Sequence, residues 1–467
     1  MTWGKIDVSY KRAAITVAVL ALFNFIFLGV EYLFDNMMTY VTDARGVVLA
    51  ESYVLGASFF GFLLFPVINR IIRKNRSVVS FAGALLGIIF IFSIWQRGSY
   101  ISIFMSGCIV FAVLGVFGGF VHYRVSIILD NGTHLAKFMG VAYALGIFLQ
   151  FLNNNLITDD MVETIFLAVS LAVFTVLLIK TEDYMPGSND NSINENRENG
   201  NIKYKIKNPL LAEVAIISTV ILMSCVFSTL NVSVTYVHAG GSVDIGQWPR
   251  LFLAVSGMTA GALYDIRERK YMNLIMYCVT VLSVISVVIT ETGGDFLIGS
   301  IVFYLSAGFF VVFFTTTFIQ LSYSLRCPQL WAGGGRALNN ICAALTGRLS
   351  MFLLSGGKAF ILIVILILFT LISVWLCIFS KQCEMDDKKP EFSDEEKFDF
   401  FCKEFSITER EKDVLRALLL SDKNVQDIAA EISISRAVLY RHITNLNNKT
   451  NTTSRIGLLQ FYYRWKK

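Results

Sequence analysis

The chain has 467 residues, 55% of them hydrophobic and only 16% charged, with a net charge of +5. A soluble globular chain carries about 25% charged residues; together with a mean hydropathy of +0.60, this excludes a string of soluble domains and points to a polytopic membrane protein with a smaller polar part. Cys108, Cys225, Cys278 and Cys342 lie in apolar runs, where cysteine behaves as a small hydrophobe. No C-x-x-C pair, Cys/His cluster, nucleophile–base pair or phosphate loop is present, so no metal site, cofactor or catalytic residue is expected.

A membrane span needs about 20 mostly apolar residues. The first run starts near Ala13, behind Lys5, Lys11 and Arg12, and continues to Phe34. That is longer than a signal-peptide core, and a second run follows closely, so it reads as a span. Spans are predicted near 13–34, 47–68, 77–95, 100–121, 136–153 and 161–179. A polar, Asn-rich stretch over 181–208 follows and reads as a central loop. Six more spans are predicted near 210–237, 251–265, 271–290, 296–319, 337–355 and 359–380. The membrane domain thus covers 1–380, with halves 1–180 and 209–380.

Lys and Arg set the orientation, because cytoplasmic loops collect them. With the N-terminus inside, the inner connections hold most of the basic residues, including Arg70, Arg73, Lys74, Arg76, Arg267, Arg269 and Lys270. The outer ones hold only Arg45, Arg97, Arg250 and Lys358. Both termini are therefore expected in the cytoplasm, in a multi-pass protein of a bacterial inner membrane.

The two halves echo each other. The second span exits through "GFLLFPVINRIIRK", from Gly61 to Lys74, and the eighth through "GMTAGALYDIRERK", from Gly257 to Lys270. Aligned on Gly61 and Gly257, Asn69 meets Asp265, Arg73 meets Arg269 and Lys74 meets Lys270. This resembles the G-x-x-x-D-R-x-G-R-K loop of the major facilitator superfamily. Phe65 and Asn69 depart from it in the first copy. The resemblance implies two six-helix bundles around a central cavity.

Polar groups at membrane depth are candidates for function. Asn24 sits mid-span in the first helix, Glu31 near its outer end, Glu51 at the start of the second and Gln150 in the fifth. Arg348 lies well inside the eleventh. It reads as a pocket residue, a partner for Glu31 or a side chain snorkelling to the interface. For Asn24 and Gln150 a helix–helix hydrogen bond competes with a ligand role. Asn24, Glu31, Gln150 and Arg348 are taken as candidate ligand residues for an unknown small molecule. No carboxylate falls at mid-depth by this count, which favours a sensing cavity over active transport.

From Lys381 the composition changes. Residues 381–404 carry nine acidic side chains and read as an acidic linker. Residues 405–467 read as four short helices. Thr408 and Glu411 form a capping box for the first, whose apolar side is Val414, Leu415, Leu418 and Leu419. Asn424 caps the second, and Ser435 the third after a tight turn. The third buries Leu439, Ile443 and Leu446 and exposes Arg436, Ala437, Tyr440, Arg441 and Thr444. Ser454 caps the fourth, where Ile456, Leu459 and Tyr463 recur. No acidic residue follows Glu431, while Arg436, Arg441, Lys449, Arg455 and Arg464 do. Two short helices joined by a tight turn, the second basic, match a helix-turn-helix with a phosphate-binding footprint. A small interaction domain or a lipid-bound basic tail is the alternative; the ordered caps favour DNA.

The stretch 405–465 resembles the LuxR-type DNA-binding domain. Thr408, Arg410, Glu411, Val414 and Leu415 fit its opening. Asn424, Asp427, Ile428, Ala429, Ile432, Ile434 and Ser435 fit its middle, and Leu439, His442, Lys449 and Arg455 its later positions. Val438, Tyr440 and the pair Thr450–Asn451 depart from it. The resemblance implies contact with double-stranded DNA through Asn424, Ser435, Arg436, Val438, Tyr440, Arg441, His442, Thr444, Lys449 and Arg455. It also implies a homodimer through the fourth helix.

The expected molecule is all-α: a bundle of twelve membrane helices, six plus six and major facilitator-like, carrying a four-helix LuxR-type domain. Its expected role is a membrane-embedded transcriptional regulator that senses a small molecule or membrane state. The alternative is a transporter with a regulatory or protein-binding tail.

Overall fold

A computed structural model describes residues 3–71, 75–129, 134–181, 204–239, 248–291, 296–322, 325, 327–355, 358–385, 394–420 and 424–465. The chain divides into two compact units, Met1–Met385 and Asp386–Lys467.

Among the described residues, twelve α-helices dominate the first unit. The N-terminal six are α1 (Trp3–Thr39), α2 (Ala44–Ile71), α3 (Arg76–Trp95), α4 (Tyr100–Ile128), α5 (Leu135–Leu156) and α6 (Asp160–Lys180). The C-terminal six are α7 (Pro209–Ala239), α8 (Leu251–Tyr264), α9 (Met272–Glu291), α10 (Phe296–Ser322), α11 (Pro328–Ser355) and α12 (Lys358–Gln382). Among the described residues, nine helices are long and apolar enough to cross a bilayer, and Met272–Ser286 is a shorter apolar stretch. Helices α8 and α11 fall outside those nine for different reasons. Helix α8 has 14 residues and is preceded by a short 3-10 turn, Trp248–Arg250. Helix α11 is long enough but carries Arg336, Asn339, Asn340 and Arg348.

The halves meet through α2 against α11 and α5 against α8. Small residues permit the second contact: a Cβ at Gly140 of α5 would lie 2.4 Å from the Gly257 carbonyl oxygen of α8. The loop motif at the end of α8 fastens the same pair. Asp265 accepts hydrogen bonds from the backbone N–H of Ala136 (3.2 Å) and Lys137 (2.7 Å), in the first turn of α5, and from Arg269 (3.3 Å). A carboxylate at a helix N-terminus satisfies otherwise unpaired donors and complements the helix dipole. In the first motif copy, Asn69 is buried, while Arg73 and Lys74 lie outside the described residues.

Of the central loop 181–208, residues 182–203 lie outside the described residues. Its end forms strand β1 (Tyr204–Ile206), antiparallel to β2 (Cys383–Met385), with Ile206 opposite Cys383. Among the described residues this three-residue pairing is the one sheet.

The stretch expected as an acidic linker, 381–404, is structured at both ends. Helix α12 and β2 occupy its start, 386–393 lie outside the described residues, and Asp394–Glu404 form a helix, α13. Phe398, Phe401 and Cys402 recur at helical spacing on α13 and join the core of the second unit. The acidic side chains mask this stripe in the sequence.

The four expected tail helices follow: α14 (Glu409–Leu420), α15 (Val425–Glu431), α16 (Arg436–Thr450) and α17 (Arg455–Arg464). Their core joins Val414, Leu415 and Leu418 to Ile428, Leu439, Ile443 and Leu446. On α17 the inward residues are Leu458 and Tyr462. Ile456 and Tyr463, expected to recur on one apolar side, are 68% and 63% exposed and lie on the outer face.

Candidate functional site

Local capping shapes the tail site. Asn424 accepts from the backbone N–H of Gln426 and Asp427, each at 3.0 Å, and fixes the start of α15. Ser433 takes a left-handed φ of 55°, turning the chain between α15 and α16. The Ile434 N–H donates to the Ala429 carbonyl at 3.0 Å, which closes this turn. Ser435 then caps α16 by accepting from the Val438 N–H at 3.3 Å. At the other end of α16, Asn451 adopts φ 52°. A helix often ends on a left-handed residue, usually Gly and sometimes Asn.

The exposed side of α16 carries Arg436, Ala437, Tyr440, Arg441 and Thr444. The Arg436 guanidinium lies 5.7 Å from the Tyr440 ring centroid, a cation–π arrangement that orders both side chains. Val438 is half-buried beside this face. Three residues expected on DNA are placed otherwise. His442 is half-buried, with its Nδ1 enclosed and without a hydrogen-bond partner. The Lys449 ammonium donates to the Glu411 carboxylate at 2.6 Å and to the Ser406 carbonyl at 2.8 Å, so it serves the fold. Arg455 is half-buried at the start of α17 and already engaged.

Glu411 also closes the expected capping box: the Thr408 N–H and hydroxyl both donate to it, at 2.9 and 2.8 Å. Burial opposes its charge, but the donors Lys449 and Thr408 outweigh burial and hold its carboxyl below the ordinary 4.5. Stability from this group is therefore present above the ordinary carboxylate value and is lost as pH falls through the lower folded one. Lys449→Met is expected to cost about 1–3 kcal/mol, because it takes a donor from a buried carboxylate. Thermal unfolding of residues 386–467 between pH 7 and pH 3 checks this: the wild type should lose more stability on acidification than the variant.

The membrane unit holds a second site. A cavity of about 160 Å³ of water-accessible volume opens between α1, α2, α7, α8, α10 and α11. Phe27, Glu31 and Asp35 line it from one face of α1, one turn apart. Glu51 of α2 lines it as well and accepts from Asn231 of α7 at 3.2 Å. Arg250 also lines the cavity. Arg336 of α11 enters beside Phe27, its guanidinium 5.0 Å from the ring centroid. Three carboxylates, Glu31, Asp35 and Glu51, thus line the cavity.

Of the four candidate ligand residues, Glu31 alone lines this cavity. Asn24 is buried where α1 meets Gly146 of α5. Gln150 is fully buried, and its amide donates to the Leu28 carbonyl at 2.7 Å, a bond between α5 and α1. Arg348 is exposed on α11. It lies three and a third turns from Arg336, which puts it about 120° around the helix. Sequence reasoning missed Arg336 and Asp35 because the predicted spans began at 337 and ended at 34. Both helices run further, so both residues fall inside them.

Residues 406–462 match the family model of bacterial regulatory proteins, luxR family. Residues 406–462 form a LuxR-type DNA-binding domain. The membrane unit resembles solved transporters. The human organic anion transporter MFSD10 (TETRAN) superposes with a TM-score of 0.54 at 14% identity, covering 79% of this chain and 99% of that one. An auto-inhibited peptide transporter of the POT family gives 0.53 at 10% identity, covering 81% and 98%. At such identities the likeness concerns the fold: the first unit is a multi-pass, transporter-like membrane bundle. No curated protein sequence matches the chain.

Proposed function

We propose that the chain is a membrane-embedded bacterial transcriptional regulator. Its bundle binds a small molecule, and its LuxR-type domain binds promoter DNA from the cytoplasmic side of the cell membrane. The observation that carries this reading is the pairing in one chain of a LuxR-type domain, whose α16 leaves Arg436 and Arg441 exposed, with a bundle enclosing a charged cavity. The positive-inside pattern supports the cytoplasmic placement. The domain acts as a dimer, because two-fold DNA sites need two modules. Exposed Ile456 and Tyr463, two turns apart on α17, offer an apolar face for it. A ligand shifts the regulator only if it binds one arrangement of the halves more tightly than the other. No catalytic role is assigned.

One observation favours a second reading. Buried carboxylates facing a cavity between two halves also suit a carrier, with the tail as its regulatory element. Transcription of neighbouring genes separates the two. The regulator reading expects transcription to change on deletion of the gene, to return with the full chain, and not to return with Arg441→Ala. Residues 386–467 alone are expected to bind the promoter without a ligand response. Solute uptake by liposomes carrying the protein, with no transcriptional effect, would support the carrier instead.

A further inference from the structure

Five charged side chains line the cavity, Glu31, Asp35 and Glu51 with Arg250 and Arg336, and none of them forms an ion pair within 4 Å among the described residues.

Asp35, 5% exposed, lines the cavity with its Oδ1 enclosed and without a hydrogen-bond partner. Arg336, 6% exposed, lines it from the other side, with its guanidinium over the Phe27 ring and its Nε likewise without a hydrogen-bond partner among the described residues. A buried charge is costly unless it is paired. Neither residue has an ion-pair partner within 4 Å among the described residues. Phe27 marks the level of Arg336 on α1, and Asp35 stands eight residues further along the same face. At 1.5 Å per residue, Phe27 and Asp35 are about 12 Å apart along the axis of α1. Between them the walls are aromatic: Tyr143, Phe227, Phe303, Tyr304 and Phe310.

We propose that the ligand of this cavity is an amphoteric molecule with an acidic group at one end, an amine at the other and an apolar or aromatic middle. Its acid pairs with Arg336, its amine with Asp35, and the aromatic walls hold the body. A molecule carrying one charge satisfies one pole and leaves the other desolvated and unpaired. This inference rests on the reading of the cavity as a ligand site and names the ligand's chemistry.

The test uses the full-length protein in lipid nanodiscs and three matched probes: 4-(2-aminoethyl)benzoate, 4-ethylbenzoate and 2-(4-methylphenyl)ethylamine. Binding is measured by calorimetry and by the shift in thermal unfolding. The amphoteric probe is expected to bind at least tenfold more tightly than either single-charge analogue. Arg336→Gln should reduce its affinity to that of the amine alone, and Asp35→Asn to that of the acid alone. Arg348→Gln, outside the cavity, should change it less than twofold. Equal or tighter binding of a single-charge analogue overturns the proposal, as does an affinity that neither Arg336→Gln nor Asp35→Asn alters. Failure of all three probes to bind folded protein also overturns it. Whether the regulator reading falls as well is decided separately, by the transcriptional response of the neighbouring genes.

Discussion

Replacing Arg436 and Arg441 together with alanine is expected to weaken DNA binding by residues 386–467 roughly a hundredfold or more at physiological salt. Both guanidiniums lie on the exposed side of α16. A hydrogen bond to a charged group contributes about 1.5–3 kcal/mol, and about 1.4 kcal/mol is a factor of ten. Loss of two such contacts should also lower the slope of log affinity against log salt by about two, one per phosphate contact. Lys449→Ala should leave that slope unchanged, because the Lys449 ammonium is spent on Glu411 and Ser406. Mobility shifts over a salt series measure both effects. An undiminished slope in the double variant would place the DNA elsewhere on the domain.

Leu439→Ala is expected to remove much of the stability of the same unit. Leu439 is fully buried in the core that joins α14 and α15 to α16. Truncating a buried leucine costs about 2–5 kcal/mol. A unit the size of Asp386–Lys467 has roughly 4–12 kcal/mol in all. Tyr440 is the next residue, yet it is 46% exposed. Tyr440→Ala should move stability by less than about 0.5 kcal/mol while weakening DNA binding through loss of the Arg436 stack. Urea unfolding followed by circular dichroism distinguishes the neighbours. Similar destabilisation by both would contradict the assignment of one inward and one outward face.

The helix-turn-helix was legible because its signals are local. Asn424, Ser435, Thr408 and Glu411 cap helices within three residues of themselves, and the structure places each cap where its type implies. Leu439, Ile443 and Leu446 sit at helical spacing and are all buried. Helix α13 was less legible, since its Phe398 and Phe401 stand among acidic residues. The role of Lys449 was hidden for another reason. Its partner Glu411 is distant in sequence, and composition cannot tell an ion pair from a phosphate contact.

In the membrane unit, apolar length located the helices and missed the site. Arg336 looked like a loop charge because the polar start of α11 broke the apolar run. The helix begins at Pro328, so Arg336 stands about two turns inside it. The same polarity that obscured the span is what a cavity-lining helix needs. Asp35 was lost at the far end of α1 in the same way. Gln150 shows the converse: a polar residue at depth that is spent on a helix–helix hydrogen bond.

The central claim is that a membrane-bound chain reads DNA. The most direct measurement is binding of the intact protein in lipid nanodiscs to the DNA upstream of its own gene and its neighbours, titrated against salt. The account predicts binding to one of these promoters more tightly than to unrelated DNA. It also predicts a negative salt slope that shrinks with Arg436→Ala and Arg441→Ala. Equal binding to all DNA, or none at any salt concentration, would contradict it.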